Sequence, residues 1–132
     1  MSSSAHGTLA NGGWHQLSLR EQLGNIGSEV SRALRARSAG NTDRMRGAVD
    51  RALALFDLTL SDPKLRGRTR EICRAREVVC DFFCGDNLYQ SDGSSLDRYF
   101  TVYAMAARLD REKRIASADA TVATTRVSRE PA

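Results

Sequence analysis

Apolar residues along this chain recur at steps of three and four, and no run alternates in the manner of a strand. Leu19, Leu23, Ile26, Val30 and Leu34 follow one another at spacings of 4, 3, 4 and 4, which is the period of one face of an α-helix. Ser18, with Glu21 three residues on, forms a capping box at its start. Gly40 supplies a left-handed stop, and Arg32, Arg35 and Arg37 place cations near the negative end of the helix dipole. Gly24, Asn25 and Gly27 each cost this helix up to about 1 kcal/mol against Ala, so close approach of another backbone is expected there.

Asn41 and Thr42 can cap a second helix, on which Met45, Val49, Ala52, Phe56 and Leu60 form one stripe that Leu53 and Leu55 widen. Pro63 disfavours helical geometry in Asp62 yet suits a first helical position, so a third helix is predicted from Pro63 to about Cys84, N-capped by Asp62. Its inward residues are Leu65, Ile72, Ala75, Val79, Phe82 and Phe83, and Gly85 closes it. The segment GDNLYQSDGSS, from Gly85, is the one long internal connection. Ser94 and Asp97 open a fourth helix, predicted to about Ile115, with Leu96, Phe100, Tyr103 and Ala107 inward and Val102, Met105 and Leu109 extending the stripe.

Four helices of roughly 20 residues joined by mostly short turns make neighbours antiparallel. The predicted fold is all-α, an antiparallel up-down-up-down four-helix bundle over residues 17–116. Residues 1–16, rich in Ser, Gly and Ala, read as a disordered N-terminal tail, and residues 117–132, whose isolated apolar residues follow no stripe, as a disordered C-terminal tail. Trp14, just ahead of the capping box, is expected to pack as a lid over one end of the bundle.

A length of 132 residues leaves room for one domain. No window approaches the roughly 18 apolar residues of a membrane span, and the N-terminus lacks the basic and apolar regions of a signal peptide; the expected address is the cytoplasm, with no membrane partner. Three Cys argue against a disulfide framework. The excess of 20 basic over 16 acidic residues is weak beside that of dedicated nucleic-acid binders. Its make-up says more, because 18 of the 20 are Arg, whose planar fork suits carboxylates and phosphates; coding bias explains the same excess without any phosphate role.

Charge is unevenly placed on the third helix. Residues 64–76 carry six basic side chains and one acid, whereas residues 77–97 carry five acids and no base. Cations at a helix N-terminus oppose the dipole, so something anionic should compensate. Lys64, Arg66, Arg68 and Arg70 are therefore the candidate contact residues, for a phosphate, an RNA backbone or an acidic partner surface. Asp57, Asp62 and acids on neighbouring helices compensate equally well, and that reading is preferred. Arg76 falls beside the apolar stripe and needs an acidic partner; Glu29 and Asp50 are the candidates for a structural ion pair.

Cys73, Cys80 and Cys84 share one side of the third helix, but tetrahedral zinc wants four ligands and no CxxC is present. They are expected to be buried and inert, with no metal and no cofactor. Tyr89, Tyr99 and Tyr103 could stack bases and are more readily core and rim. No phosphate-binding glycine loop or HExxH is present, and both His lie in the first 15 residues, so no complete catalytic constellation is seen.

The stretches LGNIGSEVSRAL, RALALFDLTLSDP, REICRAREVVCDFFCGDNLY and DRYFTVYAMAAR resemble an uncharacterised family of small prokaryotic helical-bundle proteins over roughly residues 17–109. The resemblance implies a fold and attaches no activity. The architecture is also distantly similar to the HEPN bundles, which include toxin RNases. Those RNases carry an Arg followed by a His near the last helices; here no His follows residue 15, so the resemblance implies RNA association without the cleaving pair. The residues themselves point to a non-catalytic binding or assembly module, self-associating or meeting a protein partner, with the HEPN-like RNA-associated protein as the alternative.

Overall fold

The computed structural model describes residues 13–129, with side chains to residue 121. It contains α1 (Leu19–Ser38), α2 (Thr42–Leu60), a 3-10 turn (Pro63–Arg68), α3 (Thr69–Cys84) and α4 (Gly93–Arg129). The fold is the all-α four-helix bundle, and no strand occurs among the described residues. No described helix is long and apolar enough to cross a membrane. Residues 1–12, where most of the predicted N-terminal tail falls, lie outside the described residues.

α1 is the central element, packed against α2 on one side and α4 on the other. Its capping box is complete, with the Ser18 hydroxyl accepting from the Glu21 amide and Glu21 accepting from the Ser18 amide. α4 runs antiparallel to α1: Arg114 faces Glu21, Arg20 pairs with Asp110 at 3.2 Å, and Ser31 donates to Asp97 at 2.6 Å. The two glycines explain how the helices come so close. A Cβ on Gly27 would lie 2.4 Å from the Phe100 Cβ, and one on Gly24 would lie 3.1 Å from the Ala104 Cα. The core holds Leu23, Ile26, Val30, Ala52, Phe56, Ile72, Val79, Leu96 and Phe100, with Phe56 and Phe100 edge to face across it. α3 leans mainly on α2, burying Ile72, Ala75 and Val79.

Three boundaries differ from the sequence reading. Pro63–Arg68 winds as a 3-10 turn before the α-helix starts at Thr69. α4 passes its expected end near Ile115 and continues to Arg129, because Ala116, Ala118 and Ala120 are the strongest of helix formers and no Gly or Pro interrupts them. With Arg114 level with the first turn of α1, the remaining 15 residues of the helix extend about 22 Å past that turn. Residues 13–16, part of the predicted N-terminal tail, are instead folded, and a helical turn there buries Trp14. Val102, Met105 and Leu109 are more than half exposed, so the inward stripe of α4 is narrower than its sequence suggested.

Candidate functional site

A polar cluster at the α2–α3 junction fixes the start of α3. The Trp14 indole Nε1 donates to Thr59 Oγ1 at 2.9 Å, and His15 Nε2 lies 2.9 Å from the Leu58 carbonyl. Gln22 Nε2 donates to the carbonyls of Trp14 and Leu17 and to Asp62 Oδ2. Asp62 caps the 3-10 turn through the Lys64 amide at 3.1 Å, and the Lys64 ammonium donates to the Asp62 carboxylate and to the His15 carbonyl. Burial pushes the Asp62 carboxyl up, but hydrogen bonds from Lys64 and Gln22 outweigh it and hold it below the ordinary aspartate range.

A carboxyl held down in the folded state contributes stability above its unfolded pKa and loses it as pH falls through the folded value. Asp62→Asn leaves an oxygen to cap the turn but removes the charge that Lys64 and Gln22 hold, and is therefore expected to cost about 2 kcal/mol near neutral pH. The deficit should shrink as pH drops below the ordinary aspartate value of 3.8. Urea unfolding followed by circular dichroism at both ends of that range checks it; a deficit independent of pH would contradict the assignment.

The candidate quartet divides in two. Lys64 is consumed by Asp62, and Arg68 pairs with Glu71 at 2.7 Å. Glu71 also accepts from the Tyr103 hydroxyl at 2.6 Å, and that bond, then Arg68, hold its carboxyl below the usual range. Burial, then the bond to Glu71, push the Tyr103 hydroxyl well above its ordinary value. Glu71 thus ties α3 to α4 and is no titrating group near neutral pH. Arg66 and Arg70 are exposed, and neither forms an ion pair among the described residues. With Gly67, Thr69, Cys73, Arg74 and Glu77 they line an open groove along the start of α3.

The Arg74 guanidinium sits 5.1 Å from the centre of the Tyr89 ring, whose hydroxyl donates to Glu77 at 3.1 Å. The connection after α3 is pinned rather than loose. Asp81 accepts from the amides of Leu88 and Tyr89, while Asn87 and Gln90 take left-handed backbone conformations.

The predicted Arg76 pairing is corrected. Arg76 meets Asp57 at 3.0 Å, since the antiparallel register of α2 and α3 brings those two level. Asp50 lies two turns away along α2, about 10 Å, and is exposed. Glu29 is buried and instead bridges Arg32 at 2.7 Å and Arg51 at 3.0 Å. The cysteines also depart from expectation: Cys73 and Cys80 are half-buried and Cys84 is exposed. Burial, then Cys80, raise the Cys84 thiol, which keeps its thiolate scarce. Among the described residues no group of His, Cys, Asp and Glu is placed to hold a metal ion.

Sequence reading missed a second basic site. Arg32, Arg35, Arg44 and Arg51 surround a cleft where the end of α1 meets the start of α2, floored by Ala36, Gly47 and Ala48. These arginines come from two helices with Asp43 and Asp50 between them, so no contiguous charge run announced them. Arginine at helical spacing on both sides of a Gly-Asn turn was the available signal.

Comparison of the chain with protein-family models, with curated proteins and with solved structures finds no match. The fold and its surfaces are those of a small helical bundle with two arginine-lined openings at opposite ends of α2.

Proposed function

We propose that the chain is a non-catalytic helical assembly module that pairs with a second copy of itself through α3. The observation that carries this reading is the open groove along which Arg66 and Arg70, without ion pairs among the described residues, precede the exposed Glu77. Two copies of this groove laid antiparallel bring Arg70 opposite Glu77, twice over, about an axis near Cys73. A two-fold interface demands that kind of self-complementarity. It also satisfies the cations that sit unfavourably at the positive end of the helix dipole.

The test is sedimentation of the full chain. The wild type is expected to dimerise more weakly as salt rises, and Arg66→Glu with Arg70→Glu to run as a monomer. Mixing that variant with Glu77→Arg should restore a heterodimer, since each carries the charge the other lacks. A monomeric wild type, or an unaltered dimer in the double variant, overturns the reading.

A second reading, an RNA-associated protein, is favoured by Tyr89 and Tyr99, both about two-fifths exposed beside this groove, since rings interleaved with arginines suit single strands. It predicts filter-bound RNA whose affinity falls steeply between two ionic strengths, and lack of retention at the lower one would remove it.

A further inference from the structure

The α1–α2 cleft has the features of a built anion site. Its inner wall is a pair of guanidiniums, Arg32 and Arg51, both held by the one buried Glu29 carboxylate. Each keeps further N–H donors, because Glu29 takes only Arg32 Nη1 and Arg51 Nε. Arg51 lies across the α2 backbone, its Nη1 only 3.4 Å from where a Gly47 Cβ would stand, so the missing side chain leaves room for that fork. Arg35 and Arg44 complete the ring from the two sides, and neither forms an ion pair among the described residues. Asp43 is the one acid among the lining residues. Four guanidiniums against Asp43 and Glu29 leave the cleft positive.

We infer that this cleft binds a chain of linked phosphates, either a free polyphosphate or the triphosphate tail of a nucleotide. A lone carboxylate or sulfate would satisfy one arginine fork. Four forks lining one cleft of ≈ 610 Å³ match several linked anionic groups, and the volume lies in the usual range of small-ligand sites. The Glu29 bridge fixes two of the four forks before any ligand arrives, which lowers the ordering cost of binding. An acidic helix from a partner is a poorer fit, because its carboxylates are spaced by a helical turn, about 5.4 Å, wider than linked phosphates.

The test is calorimetric titration of the full chain with inorganic tripolyphosphate at about 0.15 M salt. Saturable binding to one site is expected, at least tenfold tighter than sulfate. Arg35→Ala and Arg44→Ala should each weaken it on the order of tenfold, as charge-assisted hydrogen bonds do, without changing the melting temperature. Arg35→Lys/Arg44→Lys keeps the charge and loses the fork, so an intermediate loss is expected. Arg66→Ala/Arg70→Ala, a helix length away, should leave the titration unchanged, which separates this site from the α3 surface. A nucleoside triphosphate that binds more tightly than tripolyphosphate assigns the site to nucleotides; equal or weaker binding assigns it to the free chain. Absence of saturable tripolyphosphate binding overturns the inference, as does an equal loss in the Arg66/Arg70 variant. RNA retention that needs Arg35 and Arg44 in a protein blind to tripolyphosphate would overturn it too, in favour of a nucleic-acid surface.

Discussion

Gly27→Ala is expected to destabilise the bundle by about 3 kcal/mol and to lower its melting temperature on the order of 10 °C. In an exposed helix the same change would gain up to about 1 kcal/mol, since Ala is the better helix former. Here the added Cβ would stand 2.4 Å from the Phe100 Cβ, a separation no rotamer change can relieve, because both atoms are fixed by their backbones. α4 must move off α1, and the contacts of Leu96, Phe100 and Ala107 go with it. Gly24→Ala meets the Ala104 Cα at 3.1 Å and should cost less, about 1 kcal/mol. Gly67, whose added Cβ would meet nothing, provides the control: Ala there should be neutral or slightly stabilising. Thermal melts of the three variants give the order 27, 24, 67; a harmless Gly27→Ala would mean that α1 and α4 do not pack in this register.

That glycine pair marks where sequence reasoning was strong. Two residues that weaken a helix within its own apolar stripe are tolerated when another helix uses the space, and the partner turned out to be α4. Caps were equally readable: Ser18 with Glu21, Asn41, and Asp62 ahead of Pro63 each bond the amides their side chains suit. What could not be read was which side chain on one helix stands level with which on another. Arg76 met Asp57 and not Glu29 or Asp50 because pairing depends on the relative slide of α2 and α3, which periodicity does not encode. The length of α4 was missed for a related reason. An apolar stripe reports burial, and residues 111–121 of α4 are exposed, so the signal there is propensity alone. Of the two basic openings, only the one written as a contiguous run was legible. The other is assembled by a turn that folds Arg32 and Arg35 against Arg44 and Arg51.

Trp14→Ala is expected to cost about 4 kcal/mol, near the upper range for aromatic truncation, although the residue lies in a segment read as a tail. The ring is packed into the main core and its Nε1 donates to the buried Thr59. Trp14→Phe, which keeps most of the apolar surface and removes only that donor, should cost about 1–2 kcal/mol. The larger consequence lies next door. The backbone around Trp14 and His15 accepts from Gln22 and Lys64, the two residues that also hold Asp62. Removing the indole should therefore loosen the cap that positions Arg66 and Arg70. A double-mutant cycle between Trp14→Ala and Asp62→Asn, followed by urea unfolding, should show a coupling of about 1 kcal/mol or more, as residues sharing one hydrogen-bond network do. Strict additivity would show the lid and the cap to be independent, and would leave the geometry of the α3 surface resting on Glu71 and its bond to Tyr103.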